Sequence, residues 1–319
     1  MATQKKIAFI FPGQGAQYCG MGKDFASQYS VARQTFEEAD DLLARKLSKI
    51  AFEGPEDALT ETRNSQTAIY VNSMAILRTL QDLFPILQPS VCAGLSLGEY
   101  TALTCAGYLP FEACLPIVQY RGQYMNEACE ERLGVMAAVI GLSADEVEAA
   151  VQAANLPNDL WVANFNCPGQ TVISGTQKGV EVGGELIKQR GAKRILPLQV
   201  HGAFHSGLMQ SAADRLAPHI DSAPIQKGVA QLVMNVPGDF VSDLAQIKNN
   251  LVKQVVCSVR WEQGIRAMQR EGVEVYIEIG CGKTLAGMNK RIGVSAPTIS
   301  IDKVEDLRLL EEQLVVLTT

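Results

Sequence analysis

The segment Val91-Cys-Ala-Gly-Leu-Ser-Leu-Gly-Glu-Tyr100 joins a short apolar run to a serine that has glycines two residues before and after it. Its pattern predicts a buried strand over 90–94 and a helix over 97–106. The GxSxG spacing between them is that of a nucleophile elbow, a sharp strand-to-helix turn that exposes the serine hydroxyl. Ser96 is therefore a candidate nucleophile, and the backbone N–H of Leu97 would point to a developing oxyanion. The alternative interpretation is that Ser96 only caps the helix.

Strands alternate with helices on both sides of this segment. The apolar run Lys6–Phe11 predicts a buried strand. Helical periodicity follows over Tyr29–Leu47 and over Thr67–Phe84, where Pro85 ends it, and a further helix is predicted over 110–128. Such alternation predicts an α/β fold with a mainly parallel sheet.

Residues 131–199 have a different pattern. They predict a strand, a helix, two strands around a Cys-Pro-Gly turn, a helix and a strand, over 135–141, 143–155, 160–166, 170–175, 180–190 and 192–199. This β-α-β-β-α-β order is the ferredoxin-like arrangement. We expect a small domain of residues 131–199, inserted into a large discontinuous domain of residues 1–130 and 200–319. The large domain continues with predicted helices and one strand, over 207–220, 242–254, 261–271 and 273–279.

Composition excludes several classes of protein. The chain has 319 residues, 47% of them hydrophobic, and a formal net charge of −6. These values argue against disorder and against nucleic-acid binding, which needs a basic surface. No apolar run approaches the length of a membrane span, and the N-terminus lacks a signal peptide pattern. We expect a cytoplasmic, bacterial-type protein or an organelle-processed form. The eight cysteines lack the paired spacing of zinc ligands, so no metal is predicted.

A serine nucleophile needs a base, and the chain has three histidines. His219 lies in a predicted helix beside Pro218, and we expect it at the surface. His201 and His205 both follow the last strand of the small domain, and local pattern favours neither. No aspartate or glutamate between Ser96 and these histidines stands out as the third member of a triad.

Three motifs come close to known cofactor or metal sites and are rejected. GQGAQYCG lacks the third glycine of a dinucleotide fingerprint, because Tyr18 occupies that position. IEIGCGKT lacks the first glycine of a phosphate loop, where Ile277 stands. HGAFH has Gly202 where a zinc protease needs glutamate. No cofactor is predicted from these motifs.

Other motifs accompany GLSLGEY in a fixed order. They are FPGQGAQ at 11–17, Arg121-Gly122 with Met125, NCPGQ at 166–170 with VISG at 172–175, GAFHS at 202–206 with Met209, and GCGKTLAGMNKRI at 280–292. Together they resemble the malonyl-CoA:acyl carrier protein transacylases over essentially the whole chain. The resemblance implies a hydrolase-like α/β domain with a ferredoxin-like insertion.

The resemblance also implies roles for individual residues. It makes His205, in the AFHS motif, the base for Ser96. In the family a backbone carbonyl orients the imidazole, and the matching position is Gln254. The backbone N–H groups of Gln14 and Leu97 would form the oxyanion hole.

Arg121 is implied to bind the free carboxylate of the malonyl group, since a guanidinium pairs with a carboxylate through two hydrogen bonds. The alternative is a surface salt bridge on a helix. The chain departs from the family at one position, where Leu95 replaces a frequent histidine before the nucleophile. The polarity of the pocket depends on this residue, whereas the pair of Ser96 and His205 does not. The implied pocket residues are Leu95, Met125, Asn166 and Phe204.

The implied activity is transfer of the malonyl group from malonyl-CoA to the phosphopantetheine thiol of acyl carrier protein, through a malonyl-serine intermediate, for fatty acid synthesis. Coenzyme A enters as part of the substrate and no cofactor is expected. A serine esterase or thioesterase, an acyltransferase of polyketide synthesis and a silent carrier-protein scaffold are the alternatives. We expect a monomer.

Acyl carrier proteins are generally acidic, as the resemblance implies, so a local basic patch is needed on a chain of charge −6. Two clusters are candidates for docking. They are Lys188, Arg190, Lys193 and Arg194 in the small domain, and Lys290 and Arg291 near the C-terminus, with Lys283 nearby. The alternative is that both are solvated helix ends.

Overall fold

The predicted N-terminal strand is an inner strand of a six-stranded sheet in the computed structural model, which describes residues 5–200 and 202–318. This strand, β1 (Ile7–Phe11), is fully buried. The chain continues with α1 (Lys23–Gln28), α2 (Ser30–Leu42), α3 (Leu47–Glu53), α4 (Glu56–Thr60), α5 (Thr62–Leu83), β2 (Val91–Gly94), α6 (Gly98–Cys105) and α7 (Phe111–Glu131).

Two of the predicted helix bounds were wrong. The helix predicted over Tyr29–Leu47 is two helices, α2 and α3, because Ala44 has a left-handed φ of 50° that stops the first one. Helix α5 begins at Thr62 instead of Thr67. Its first turn carries polar residues that are buried, so apolar periodicity does not detect it.

Residues 135–197 form a second sheet with two helices. The elements are β3 (Val135–Ile140), α8 (Ala144–Ala153), β4 (Leu160–Cys167), β5 (Gln170–Gly175), α9 (Gln177–Gln189) and β6 (Arg194–Pro197). The four-stranded sheet has the order β4-β5-β3-β6, and its pairs are antiparallel. Ser143 caps α8 by accepting the backbone N–H of Glu146. This sheet and its helices share a separate apolar core.

The chain then returns to the large sheet. Its elements are α10 (Gln210–Ser222), β7 (Gln231–Met234), β8 (Asp239–Val241), α11 (Leu244–Lys253), α12 (Trp261–Arg270), β9 (Val275–Ile279), α13 (Thr284–Ile292), β10 (Thr298–Ile301) and α14 (Asp306–Thr318). Within the described ranges, no helix combines the length and the hydropathy that crossing a membrane would require.

The large sheet places several loops at one edge. Its strand order is β10-β9-β1-β2-β7-β8, and every pair is parallel except β7 with β8. The prediction of an α/β fold with a mainly parallel sheet is confirmed. Because β1, β2 and β7 are adjacent and parallel, their carboxyl ends meet, which is where open α/β sheets bind ligands. The loops that follow these strands begin at Pro12, Leu95 and Asn235.

Candidate active site

Ser96 lies in the tight turn between β2 and α6. Its φ is 53°, a left-handed conformation that is costly for a residue with a side chain. The flanking glycines are required by space: a Cβ on Gly94 would lie 1.9 Å from the Gly98 carbonyl oxygen, and one on Gly98 would lie 2.2 Å from the Phe11 oxygen. The Ser96 N–H donates to Asn235 Oδ1 at 2.6 Å. Close packing and this bond hold the serine at the carboxyl end of the sheet.

The structure brings Ser96 and His205 together. Ser96 Oγ and His205 Nε2 are 2.8 Å apart, and His205 Nδ1 is 2.7 Å from the backbone oxygen of Gln254. When Nδ1 is protonated and donates to that carbonyl, Nε2 is unprotonated and can accept a hydrogen bond from the serine hydroxyl. Burial, and then the charge of Arg121, lower the pKa of His205 to about 4. The imidazole is therefore neutral at pH 7 and competent as a base.

Of the other two histidines, His201 lies outside the described residues. His219 is half-buried, so the prediction of a surface residue holds only in part. Its ring stacks on Tyr120 at 3.9 Å, and its Nε2 is 3.0 Å from the hydroxyl of Tyr124. Those tyrosines on α7 shield it from solvent.

Arg121 is buried beside the serine, so the interpretation as a surface salt bridge is wrong. Its side chain is 1% exposed, and its Nη2 donates to Ser96 Oγ at 3.1 Å and to Gln254 Oε1 at 2.8 Å. Its Nη1 donates to Gln66 Oε1 at 2.5 Å. No carboxylate of the described residues lies within ion-pair distance of it. The site thus holds a buried cation that only neutral side chains contact.

The two predicted oxyanion donors are on adjacent loops. Gly13 allows their close approach, because a Cβ there would lie 2.3 Å from the Leu95 oxygen. Among the described residues, the backbone N–H groups of Gln14 and Leu97 have no protein acceptor. Both are therefore available to an oxygen placed next to Ser96.

A cavity of about 420 Å³ opens over Ser96, between the two sheets. All four pocket residues predicted from the sequence line it, namely Leu95, Met125, Asn166 and Phe204. The small sheet contributes the apolar side chains of Met136, Ala138 and Val172 and the amides of Asn164, Asn166 and Gln170. The Oδ1 atom of Asn166 is buried and has no hydrogen-bond partner.

Segments next to the predicted basic clusters line this cavity, although no residue of either cluster is among its lining residues. Lys188, Arg190, Lys193 and Arg194 are all exposed, at the end of α9 and on the edge strand β6. The chain runs from that strand into 198–200, which line the cavity. Lys290 and Arg291 are exposed at the end of α13, whose first turn also lines the cavity. Arg291 donates to the side chain of Gln170, a further lining residue.

Sequence analysis missed three residues that complete the site. Asn235, Gln66 and Glu99 each bond to a predicted residue or to one of its partners. Glu99 follows the elbow and stood in the quoted segment, yet nothing in the local pattern assigns it a partner. Asn235 and Gln66 reach the site only through the fold.

An α/β sheet that presents an activated serine at a strand-to-helix turn is the arrangement of serine enzymes that form acyl intermediates. The chain matches the acyl transferase domain family over residues 8–299. It belongs to that family, among the malonyl CoA-acyl carrier protein transacylases.

The relatives match nearly from end to end. The malonyl CoA-acyl carrier protein transacylase of Bacillus subtilis is 42% identical over 305 residues, covering 95% of this chain and 96% of the relative. The crystal structure of an acyl carrier protein S-malonyltransferase from Vibrio cholerae has a TM-score of 0.91 at 39% identity, covering 96% of this chain and 100% of that one.

A third relative is a complex. It is a malonyl-transacylase bound to a type II polyketide synthase acyl-carrier protein, with a TM-score of 0.92 and 36% identity, covering 97% of this chain and 100% of that chain.

Proposed function

We propose that this protein transfers the malonyl group of malonyl-CoA to the phosphopantetheine thiol of acyl carrier protein, feeding fatty acid synthesis. The observation that carries the proposal is the position of Arg121. A buried guanidinium without a carboxylate partner, 3.1 Å from the Ser96 hydroxyl, suits an acyl group with its own carboxylate. An esterase for neutral acyl groups has no use for this cation.

The first half-reaction forms the acyl-enzyme. His205 Nε2 takes the proton of the Ser96 hydroxyl as Oγ attacks the thioester carbon. The resulting oxyanion accepts from the N–H groups of Leu97 and Gln14, each worth about 3–4 kcal/mol in comparable enzymes. The C–S bond then breaks, His205 returns the proton to the sulfur, and coenzyme A leaves as a thiol.

The second half-reaction runs the same steps with a different thiol. His205 takes the proton of the phosphopantetheine thiol, and the sulfur attacks the malonyl-serine carbonyl. The Ser96–acyl bond breaks and the serine regains its proton from His205. Neither half-reaction calls for a cofactor or metal, because the thioester carries the activated acyl group. One chain supplies every group, so a monomer suffices.

We also propose the domain division predicted from the sequence. Residues 131–199 would be a ferredoxin-like insertion in a hydrolase-like domain of 1–130 and 200–319. The strand order β4-β5-β3-β6 and the separate apolar core support this division. The cavity over Ser96 lies between the two parts.

The basic clusters would receive the acidic carrier protein. Lys188, Arg190, Lys193 and Arg194 precede the segment 198–200 that lines the cavity, and Lys290 and Arg291 follow the lining residues of α13. Both clusters would therefore lie beside the path of the phosphopantetheine arm. A related malonyl-transacylase is known in complex with an acyl-carrier protein. Complementary charge would raise the rate of encounter more than the final affinity.

Intact mass spectrometry after mixing with malonyl-CoA tests the activity. The expected result is one malonyl adduct on Ser96 that disappears when the carrier protein thiol is added, with malonyl recovered on the carrier protein. Rapid loss of the adduct to water would identify an esterase. The absence of any adduct would identify a scaffold and overturn the proposal.

A further inference from the structure

Glu99 is a fully buried carboxylate that takes no part in the steps above. It lies on α6, three residues after the nucleophile, and is 0% exposed. Its Oε2 accepts the backbone N–H of Asn235 at 2.5 Å, and its Oε1 accepts Nε2 of Gln254 at 3.0 Å. A buried carboxylate is costly unless such partners satisfy it, so these two contacts define its role.

Its first partner, Asn235, holds the strained serine. The side-chain oxygen of Asn235 accepts the Ser96 N–H at 2.6 Å, and its Nδ2 donates to the Gly94 oxygen at 2.7 Å. One amide therefore clamps both ends of the elbow. Glu99 fixes the backbone from which this amide extends.

Its second partner, Gln254, forms hydrogen bonds with His205, Arg121 and Ser96. The backbone oxygen of Gln254 is the acceptor for His205. The side-chain Oε1 of Gln254 accepts from Arg121 at 2.8 Å, and its Nε2 donates to the backbone oxygen of Ser96 at 2.9 Å. The orientation of this amide decides whether Arg121 faces an acceptor or a donor. Glu99 supports the observed orientation, because its Oε1 accepts from the NH₂ end of the amide, as the backbone oxygen of Ser96 also does.

We propose that Glu99 is a positioning residue that sets Ser96, His205 and Arg121 through Asn235 and Gln254. The inference rests on the proposed function. The Gln254 amide lies between Glu99 and Arg121, so Glu99 acts on the guanidinium without pairing with it, and the guanidinium stays free for the substrate carboxylate.

The contacts of Glu99 do not require an ionised group, because a protonated carboxyl keeps acceptor capacity. Burial raises the pKa of Glu99 to about 8, and the N–H of Asn235, the charge of Arg121 and the Gln254 amide oppose that rise only in part. At pH 7 the carboxyl is therefore mostly protonated, and its hydrogen bonds carry the positioning role.

Glu99→Gln is the decisive variant, because it has the same shape but its amide nitrogen cannot accept a hydrogen bond, whereas both carboxyl oxygens can. One amide end must then face a donor. If Gln254 rotates to avoid this clash, its NH₂ turns to Arg121 and displaces the guanidinium. We expect single-turnover acylation by malonyl-CoA to fall about 100-fold, the loss typical of misplacement near 1 Å. Acylation by acetyl-CoA should fall less, so the malonyl preference should shrink.

Asp40→Asn is the matched control. Asp40 is also a buried carboxylate, 5% exposed, and it accepts from the backbone and hydroxyl of Ser48, away from the cavity. It should lower the thermal midpoint without changing the malonyl-to-acetyl ratio. Glu99→Asp keeps the carboxyl group and its two acceptor oxygens, and should retain the malonyl preference with about a tenfold loss of rate from its shorter reach.

Three outcomes would overturn the proposal. The first is an unchanged rate and ratio in Glu99→Gln. The second is an equal loss with both substrates that tracks thermal stability as in Asp40→Asn, which would mean a purely structural role. The third applies if Glu99→Gln does not fold: a wild-type acylation rate in Glu99→Asp would then overturn the proposal. An unmodified enzyme that forms no malonyl-serine would instead contradict the proposed function.

Discussion

The two walls of the cavity are built on different principles. On the large-sheet side, polar groups hold one another in place: Ser96, His205, Gln254 and Arg121 are connected by bonds of 2.7–3.1 Å. On the small-sheet side, apolar side chains alternate with amides that do not form such a network, and the Oδ1 of Asn166 has no partner. The difference indicates that the reaction is prearranged by the large unit and that the small unit shapes what enters.

Strand geometry explains this division. Parallel strands bring several loops to one edge, so residues far apart in sequence can share one network. The antiparallel small sheet instead presents one face, on which alternate side chains of each strand lie. Changes to the large wall should therefore abolish chemistry, and changes to the small wall should only tune it.

Ser96→Ala should have the largest effect. Without Oγ no acyl-enzyme forms, and transfer should fall by roughly a million-fold, as in other serine enzymes that lose the nucleophile. Intact mass after incubation with malonyl-CoA should show no adduct. A persistent adduct would mean that another residue is the nucleophile and that the large-sheet side of the cavity does not carry the reaction.

Arg121→Ala should come next. Losing the cation should cost malonyl transfer roughly 100-fold or more, because the substrate carboxylate would be buried without a partner. Acetyl-CoA, which has no carboxylate, should become the relatively better donor. Competition between the two thioesters in one reaction measures the ratio, and an unchanged ratio would mean that the carboxylate is held by other groups.

The acid limb of the pH profile should lie unusually low. Because the pKa of His205 is lowered to about 4, the base stays neutral below the ordinary histidine value of about 6.5. The acylation kcat/KM should stay level as pH falls to about 5 and then decline about tenfold per unit below 4. Circular dichroism at each pH separates this limb from unfolding. A midpoint near 6.5 would show that the imidazole is more solvated than its contacts imply.

Reversing charge on the small unit should affect only one half-reaction. Lys193→Glu with Arg194→Glu should raise the KM for acyl carrier protein roughly tenfold and weaken its salt dependence. Malonyl-serine formation from malonyl-CoA should change little, since no carrier protein takes part. Comparable losses in both half-reactions would assign the cluster to coenzyme A or to folding.

Asn166→Ala should give the smallest effect. Asn166 lines the cavity, and its Oδ1 is buried without a hydrogen-bond partner. The substitution should therefore remove at most one neutral hydrogen bond to substrate, worth about 1 kcal/mol or roughly fivefold in rate. Steady-state kinetics of malonyl transfer measure this loss, with Asn166→Asp as a comparison variant. A loss as large as that of Arg121→Ala would erase the distinction between the two walls.

The sequence by itself determined the features that depend on near neighbours. The GxSxG turn follows from glycines at fixed spacing, because a Cβ at either glycine would lie only 1.9–2.2 Å from a backbone oxygen. The alternation of apolar runs identified most long helices and inner strands. The short strands β7, β8 and β10 were missed, since three or four residues carry too little periodicity.

Only the tertiary structure decided which polar groups meet. Local pattern left His201 and His205 equal, and the family resemblance alone chose between them. Asn235 lies 139 residues from Ser96, and Gln66 lies 55 residues from Arg121. No local rule pairs such residues, because a hydrogen bond depends on distance in space, and parallel strands and the loops after them set that distance.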